Sequence, residues 1–474
     1  MNTLKTILVI GTSEYGFTNE IIEINSEEEL IKTYGKKGSI YDSYTTIIDE
    51  LDDSNVSILI LKPYGSHATA YFDVNTRNEI VKDAICFKSI YSNEIYNQIG
   101  VNITPYGLHF IFPDNLNLEN KVYQYKDYST ISKLIYAINE DTLNGLNVVI
   151  ASSSTDDSIE YDETFMIVND NKTLVGGRSD IDISDNMLKY KCLDVSYDLI
   201  YGLDIDYIVH TEIHSNDILY EPSGLESENS FYKQLLELCI DQLQFGIITI
   251  GVLTFDRVRY SNDVLAMDEL YRLSIKYTTS VEYEKLKFLM VTIYDYLKFN
   301  YSSELVNPAL YVALKIAKCR QISNVIDKPF DKSISINNYL ENDDYAKLNN
   351  YGVMAFRHSP YYDCVVVANG VTNYVYNKST QYKYLTTVNM LQNILPKIKT
   401  IFEKYLGESI YELEHKRILD DEILNMLNRQ SKIGNIDKHE FIINYDIENG
   451  NILYELYVKN IYMTESIKYI GNLS

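Results

Sequence analysis

The chain has 474 residues, 46% of them hydrophobic, and a formal net charge of −25. That length exceeds one simple core and sets an expectation of two to four domains. The acidity argues against a nucleic-acid surface, because phosphate contact needs clustered Lys and Arg.

Acidity of this size supports solubility and tunes contacts between copies. The 44 tyrosines and the absence of Trp fit an AT-rich coding bias first and an interface role second, since Tyr is also enriched at interfaces. The five cysteines (Cys86, Cys192, Cys239, Cys319 and Cys364) are far apart and form no CxxC pair. They read as small buried hydrophobes of a reducing compartment.

The opening MNTLKTILVIG has one Lys, a very short apolar run and no small-residue cleavage site, so it reads as a strand rather than a leader. ILVIG (7–11) is a buried-type strand, and Ser26 to Glu29 form a capping box that opens a helix ending near Gly35. A second helix is expected over 39–51, leading into the apolar strand VSILIL at 56–61. This strand–helix–strand order suggests a parallel arrangement.

From 66 to 180 the strand candidates become shorter and more polar: AICFKSI, GLHFIF, NVVIAS and ETFMIV, with one helix, SKLIYAINE, among them. This is expected to be a β-rich insertion domain ending near the turn-forming Gly176-Gly177. The α/β texture then resumes with a helix at 184–202, a strand at 205–210, a helix at 231–245 and the strand IITIGVL at 247–253. Two further helices are expected near 262–299 and another at 307–321. The longest apolar stretch, FGIITIGVLTF at 245–255, is too short to span a bilayer, so synthesis in a cytoplasm without membrane insertion is expected.

After 337 comes a third block. Its long helix at 380–405 contains Pro396, where a kink or early break is expected. A helix at 408–429 follows. The chain then forms a hairpin from FIINYDI and NILYELYV around Asn449-Gly450, an Asn-Gly turn signal. A last alternating segment, ESIKYIGNL, has no chain left to pair with. A terminal strand with an unfilled edge is a means of joining subunits, with Ile452, Tyr454, Leu456, Val458, Ile467 and Tyr469 as the exchange positions. Like-charged copies would repel unless basic residues gather at contacts. Candidates are Lys397, Lys399, Lys416 and Arg417, opposite Asp420, Asp421 and Glu422 or Asp343 and Asp344.

Catalytic patterns are weak. GTSEYG (11–16) follows a strand but lacks the Gly-Lys-Ser/Thr of a phosphate loop, and Gly35-Lys36-Lys37-Gly38-Ser39 fails the spacing. His210 and His214 (HTEIH) lack the general base after the first His, and the i, i+4 spacing on a strand is too long for one zinc site. They are expected to be surface or loop histidines. No G-x-S-x-G elbow occurs. No catalytic residue, metal or cofactor is expected.

Seven segments in order carry a resemblance. They are ILVIGTSEYGFTNEIIEINSEEELIKTYG, NVSILILKPYG (55–65), AICFKSIYSNEIYNQIGVNI (84–103), LVGGRSDIDIS (174–184), LDIDYIV (203–209), YAKLNNYGVMAFRHSPYYDCVVVANGVT (345–372) and the closing NILYELYVKNIYMTESIKYI. Together they resemble contractile bacteriophage tail sheath proteins over essentially the whole chain. The resemblance implies an α/β (α+β multidomain) fold. Its parts are a discontinuous α/β core at 1–65 and 181–336, an outward-facing insertion at 66–180, and a C-terminal α+β domain at 337–474 ending in an exchangeable strand.

The resemblance also implies a structural, non-enzymatic subunit forming hexameric rings stacked helically around a tail tube. Its partners would be other copies, the tube protein, and baseplate and tail terminator proteins, within a virion. Sheath proteins usually carry an N-terminal arm ahead of the first strand; here the first strand starts by Leu4, so the arm is expected to be absent or very short. The alternatives are a single-ring collar or baseplate adaptor, or an α/β nucleotide-binding enzyme.

Overall fold

The computed structural model describes residues 4–51, 55–75, 80–154, 166–167, 171–179, 185–220, 229–276, 281–299, 305–319, 329–331, 334–337, 340–375, 381–405, 407–433, 436–446 and 451–459. Cα packing divides the chain into two units, one of residues 1–9, 46–59 and 200–474, the other of 10–45 and 60–199.

The first unit is built on apolar strands in the spatial order Val353–Met354, Met290–Ile293, Ile250–Thr254, Tyr207–His214, Lys5–Ile10 and Val56–Leu61. The pairings of Tyr207 with Ile250, Gly251 with Met290 and Thr292 with Val353 are parallel. Ile250–Thr254 and Met290–Ile293 are buried at every position, as parallel strands covered on both faces must be. Helices Phe231–Gln244 and Ala309–Lys318 pack against this sheet. Gly251 lets the first of them come close: a Cβ there would lie 2.9 Å from Leu235 and 2.7 Å from the Met290 sulfur.

Residues 262–299 hold one long helix, Asp263–Lys276, and a short one, Val281–Leu286; a 3-10 turn, Lys287–Leu289, then leads into strands Met290–Ile293 and Leu297–Phe299 where the second helix was expected to continue. A continuous apolar run such as FLMVTIY is periodically ambiguous, and its place beside Ile250–Thr254 decides for the sheet.

The second unit holds strand Ile21–Ile24 and then helix Glu27–Tyr34. Its cap forms as the sequence predicts: the Glu29 amide donates to Ser26 Oγ (3.2 Å), and Glu29 reaches back to the Asn25 amide (3.0 Å). The helix expected over 39–51 is two pieces, Ser39–Thr45 and Ile48–Leu51. Thr45 Oγ1 donates to the Asp42 carbonyl at 2.9 Å, and such local bonding competes with helix continuation.

Two antiparallel sheets complete this unit. One runs Met166–Ile167, His67–Asn75, Ile80–Ser92, Val149–Ser153; the other runs Asn171–Thr173, Gly100–Thr104, Gly107–Ile111, Lys121–Gln124. Phe72, Phe87 and Phe110 pack edge to face at 5.6 and 5.3 Å between centroids. Helix Ile131–Leu143 adds Ile131, Leu134 and Ile138 to the same core. A parallel, helix-covered sheet in one unit and antiparallel sheets in the other make an α+β chain, as expected.

Candidate assembly surface

The C-terminal layer is assembled from three helices and a hairpin. Helix Leu385–Lys404 runs through Pro396 without the expected break. Pro396 removes one backbone donor, which costs about 3 kcal/mol, but Ile394, Ile398 and Ile401 are buried on either side of it and hold the helix. Gln392 ties this helix to the sheet by donating to the carbonyls of Asp206 (3.1 Å) and Ile248 (3.0 Å). The helix expected over 408–429 is divided into Ile410–Lys416 and Ile418–Lys432. Arg417 sits between them in the left-handed region, φ 50 and ψ 34, a conformation costing a non-Gly residue about 1–2 kcal/mol. The kink lets Leu413 and Leu419 both enter one core with Ile423 and Leu427.

Strands Lys438–Asp446 and Asn451–Lys459 pair antiparallel, with Phe441 opposite Leu456, Ile443 opposite Tyr454, and Tyr445 opposite Ile452. Residues directly opposite share a face. Phe441, Ile443, Tyr445, Ile452 and Leu456 pack on the helical core just described. Tyr445 also donates its hydroxyl to Asp420 at 2.9 Å, pinning the hairpin to helix Ile418–Lys432. The opposite face carries Glu440, Asn444 and the exposed Ile442. Among the described residues no third strand pairs with either long edge. Of the proposed exchange positions, Ile452 and Leu456 are therefore half-buried on their own chain. Tyr454 and Val458 lie in register with Ile443 and His439, while Ile467 and Tyr469 lie outside the described residues.

The sites that tempted a chemical reading are structural. The amide of Thr12 donates to Ser39 Oγ (3.0 Å), that of Glu14 to the Lys37 carbonyl (2.9 Å) and that of Tyr15 to the Tyr34 carbonyl (3.3 Å). The two glycine-bearing turns thus bind each other, and these amides are spent rather than aimed at a phosphate. Gly16, at φ 119, is required there: a Cβ would lie 2.3 Å from the Tyr34 ring.

The histidines are not surface or loop residues. His210 is buried in strand Tyr207–His214, and burial holds its pKa down at about 3. His214 Nε2 lies 2.7 Å from the Tyr296 hydroxyl, and its Nδ1 3.4 Å from Asp217. Among the described residues no group of three or more His, Cys, Asp or Glu is placed to hold a metal ion. A small cavity of about 40 Å³ lined by Tyr232, Lys287, Thr292 and Asn373 admits water but falls well below the several hundred Å³ of a small-molecule site.

No protein-family model matches the sequence, and no curated protein matches it. Solved structures do match. The crystal structure of a sheath tail protein from Desulfitobacterium hafniense is similar over 97% of each chain, with a TM-score of 0.55 and 11% identity. A sheath tail protein from Listeria innocua is similar over 97% of this chain and 96% of its own, with a TM-score of 0.54 and 14% identity. A chain in the contracted baseplate of the anti-feeding prophage is similar over 100% of this chain and 94% of its own, with a TM-score of 0.52 and 10% identity. The chain has the tail sheath fold.

Within this sheath fold several of the candidate interface charges already have partners on their own chain. Lys416 pairs with Glu412 at 2.8 Å, Arg417 with Asp420 at 3.7 Å, and Glu422 with Lys404 at 2.9 Å. Lys399 pairs with Glu403 at 3.9 Å, and Asp344 with Lys347 at 3.0 Å. Asp421 is exposed.

A bonded polar cluster lies at the C-terminal ends of the parallel strands, where Arg259 bridges Asp217 and Asp256. No sequence motif marked it, because its members come from three separate loops. Burial pushes the Asp217 carboxyl up, but His214 and Arg259 outweigh it and hold it at about 2. A carboxylate depressed in the fold contributes stability that is complete above its unfolded pKa and is lost as pH falls through its folded one. Asp217→Asn is therefore expected to cost roughly 2 kcal/mol at neutral pH. Wild type and variant should converge as pH falls from about 4 to about 2. Chemical denaturation across that range checks it; a pH-independent difference would contradict it.

Proposed function

We propose that this protein is a structural subunit of a contractile tail sheath. It polymerises as stacked hexameric rings around a tail tube and contracts to drive the tube through an envelope. The observation that carries this reading is the end-to-end sheath fold, spanning at least 94% of both chains in three solved structures. The role is mechanical and non-enzymatic, with energy held in subunit packing rather than in nucleotide hydrolysis. Residues 66–180 serve as an outward-facing insertion, 1–65 with 181–336 as the core, and 337–474 as the domain that joins neighbours. Its partners are other copies, the tube protein, and baseplate and terminator proteins, in host cytoplasm during assembly and in the virion afterwards.

A second reading, a single-ring collar or baseplate adaptor, is favoured by the similarity to a baseplate chain. Negative-stain electron microscopy of the purified protein separates the two: long tubes support the sheath, discrete rings the adaptor, and monomers at high concentration neither. Salt dependence offers a further test. Reversing Lys416 and Arg417 to Glu removes their bonds to Glu412 and Asp420 and adds repulsion between acidic copies. Assembly is expected to slow about tenfold at low ionic strength, with the difference shrinking as salt rises. Indifference to both changes, followed by light scattering, would assign the contacts to apolar surface.

A further inference from the structure

Helix Asn186–Tyr197 leaves a second set of apolar residues on the solvent side. It buries Lys189 and Ser196 together with Leu193 and Tyr197, while Leu188 and Val195 are 45% and 61% exposed. Ser196 is satisfied on the inner face, donating to Asn19 Oδ1 (2.5 Å) and the Cys192 carbonyl (2.9 Å). Asp198 keeps right-handed helical backbone and the Leu199 amide donates to the Ser196 carbonyl at 3.1 Å. Leu199, 42% exposed, therefore continues the stripe.

Leu188, half-buried Cys192, Val195 and Leu199 follow a four–three–four spacing, the 3.5-residue repeat by which one helix packs along another. An apolar stripe of this period fits a helix better than a strand or a flat surface. Beside it lie Lys191 and Asp198, both exposed and seven residues apart on one flank. Neither forms an ion pair among the described residues.

These charges select the partner. When two identical helices pair antiparallel, the Lys191 flank meets itself, so Lys191 of each faces Asp198 of the other. The same two-fold sets Leu188 against Leu199 and Cys192 against Val195. A parallel pair would need the flank of Lys189 and Ser196, which is already buried in the chain's own core.

We propose that a second copy of this chain docks on this stripe through a two-fold antiparallel pairing of the two helices. The contact is small, so the dimer is weak and depends on concentration. Because a two-fold contact closes on itself, it cannot be repeated around a ring whose subunits all point one way. Pairing here would hold subunits back from assembly. The inference stands apart from the proposed sheath role: absence of tubes removes that role and leaves the dimer, whereas absence of the dimer leaves the role untouched.

Sedimentation of the full-length unassembled protein tests it. A monomer–dimer equilibrium is expected that Val195→Glu abolishes while the melting temperature stays in place, since the side chain is exposed. Lys191→Asp should weaken the dimer about tenfold, because both symmetric ion pairs become repulsive. Adding Asp198→Lys to it should restore affinity, a rescue that only self-pairing along this flank produces. In Val195→Cys, mild oxidation should link the new thiol to Cys192 of the partner, read by peptide mapping. A monomer at all concentrations, a dimer indifferent to Val195→Glu, a double swap without rescue, or cross-links mapping elsewhere would each overturn the proposal.

Discussion

A chain ending at Lys459 is expected to fold with an unchanged melting temperature and to form no tubes. The reasoning starts from the hairpin. Its apolar face is seated on Ile394, Ile423 and Leu427 of its own chain, and Tyr445 is bonded to Asp420, so the hairpin holds without anything beyond it. Two nine-residue strands nevertheless leave long edges without a partner among the described residues, and an open edge is a template for another strand.

The sequence after Lys459 ends in ESIKYIGNL, whose alternation suits such a strand. If that strand adds to a neighbour, five or so backbone bonds at about 1 kcal/mol each join every pair of subunits. They would also survive repacking of side chains during contraction. Removing them should abolish assembly, while stability, which rests on the core described above, should stay unchanged, because the deletion takes away none of the packing that sets the melting temperature. Ile467→Asp with Tyr469→Asp, placing charge on one side of the same segment, should reproduce the loss without shortening the chain. Tubes formed normally by either variant, judged by sedimentation and electron microscopy, would remove strand exchange from the account.

How far the sequence foretells this molecule depends on the range of the interaction involved. Phe231–Gln244, Glu27–Tyr34 and the hairpin lie where expected, because periodicity, a capping Ser and an Asn-Gly turn are local signals. Three kinds of feature escaped. The strand Met290–Ile293 lies in an apolar run that only its sheet neighbours disambiguate. The break at Arg417 has no Gly or Pro to announce it and exists because Leu413 and Leu419 share one core. The depth of His210 follows from its strand lying between two others in the sheet, and the contact of His214 with Tyr296 from a loop that is distant in sequence. The strands of the hairpin were legible as alternation, but which of their faces packs on the chain itself was not. Only the packing of Phe441, Ile443 and Tyr445 on the helices shows that the chain itself occupies one face.

The largest loss of stability is expected from Glu284→Ala. Glu284 and Lys287 are both buried and directly paired within the first unit, and Lys287 also borders the small cavity beside Tyr232 and Asn373. Burial lowers the Lys287 pKa, with Glu284 opposing that shift. Removing the carboxylate leaves a buried ammonium without its counter-charge, which costs about 3–5 kcal/mol and is expected to lower the melting temperature by roughly 10 °C. Part of the loss should return as pH rises. A lysine whose pKa is depressed in the fold releases its proton there before it does in the unfolded chain. The unfolded state therefore binds more protons throughout the window below about 10.4, and stability increases with pH across it. Glu284→Ala should accordingly be least stable near neutrality and recover towards pH 10, more steeply than wild type. Lys287→Met alone breaks the same pair from the other side and is also expected to be less stable than wild type. The combined variant, Glu284→Ala with Lys287→Met, should regain most of the stability lost by either, because a buried ion pair contributes little beyond an apolar pair of similar volume. Calorimetry of the three variants at several pH values decides the matter. Single and double variants equally unstable, with no pH dependence, would mean that packing around residue 287 carries the stability rather than charge.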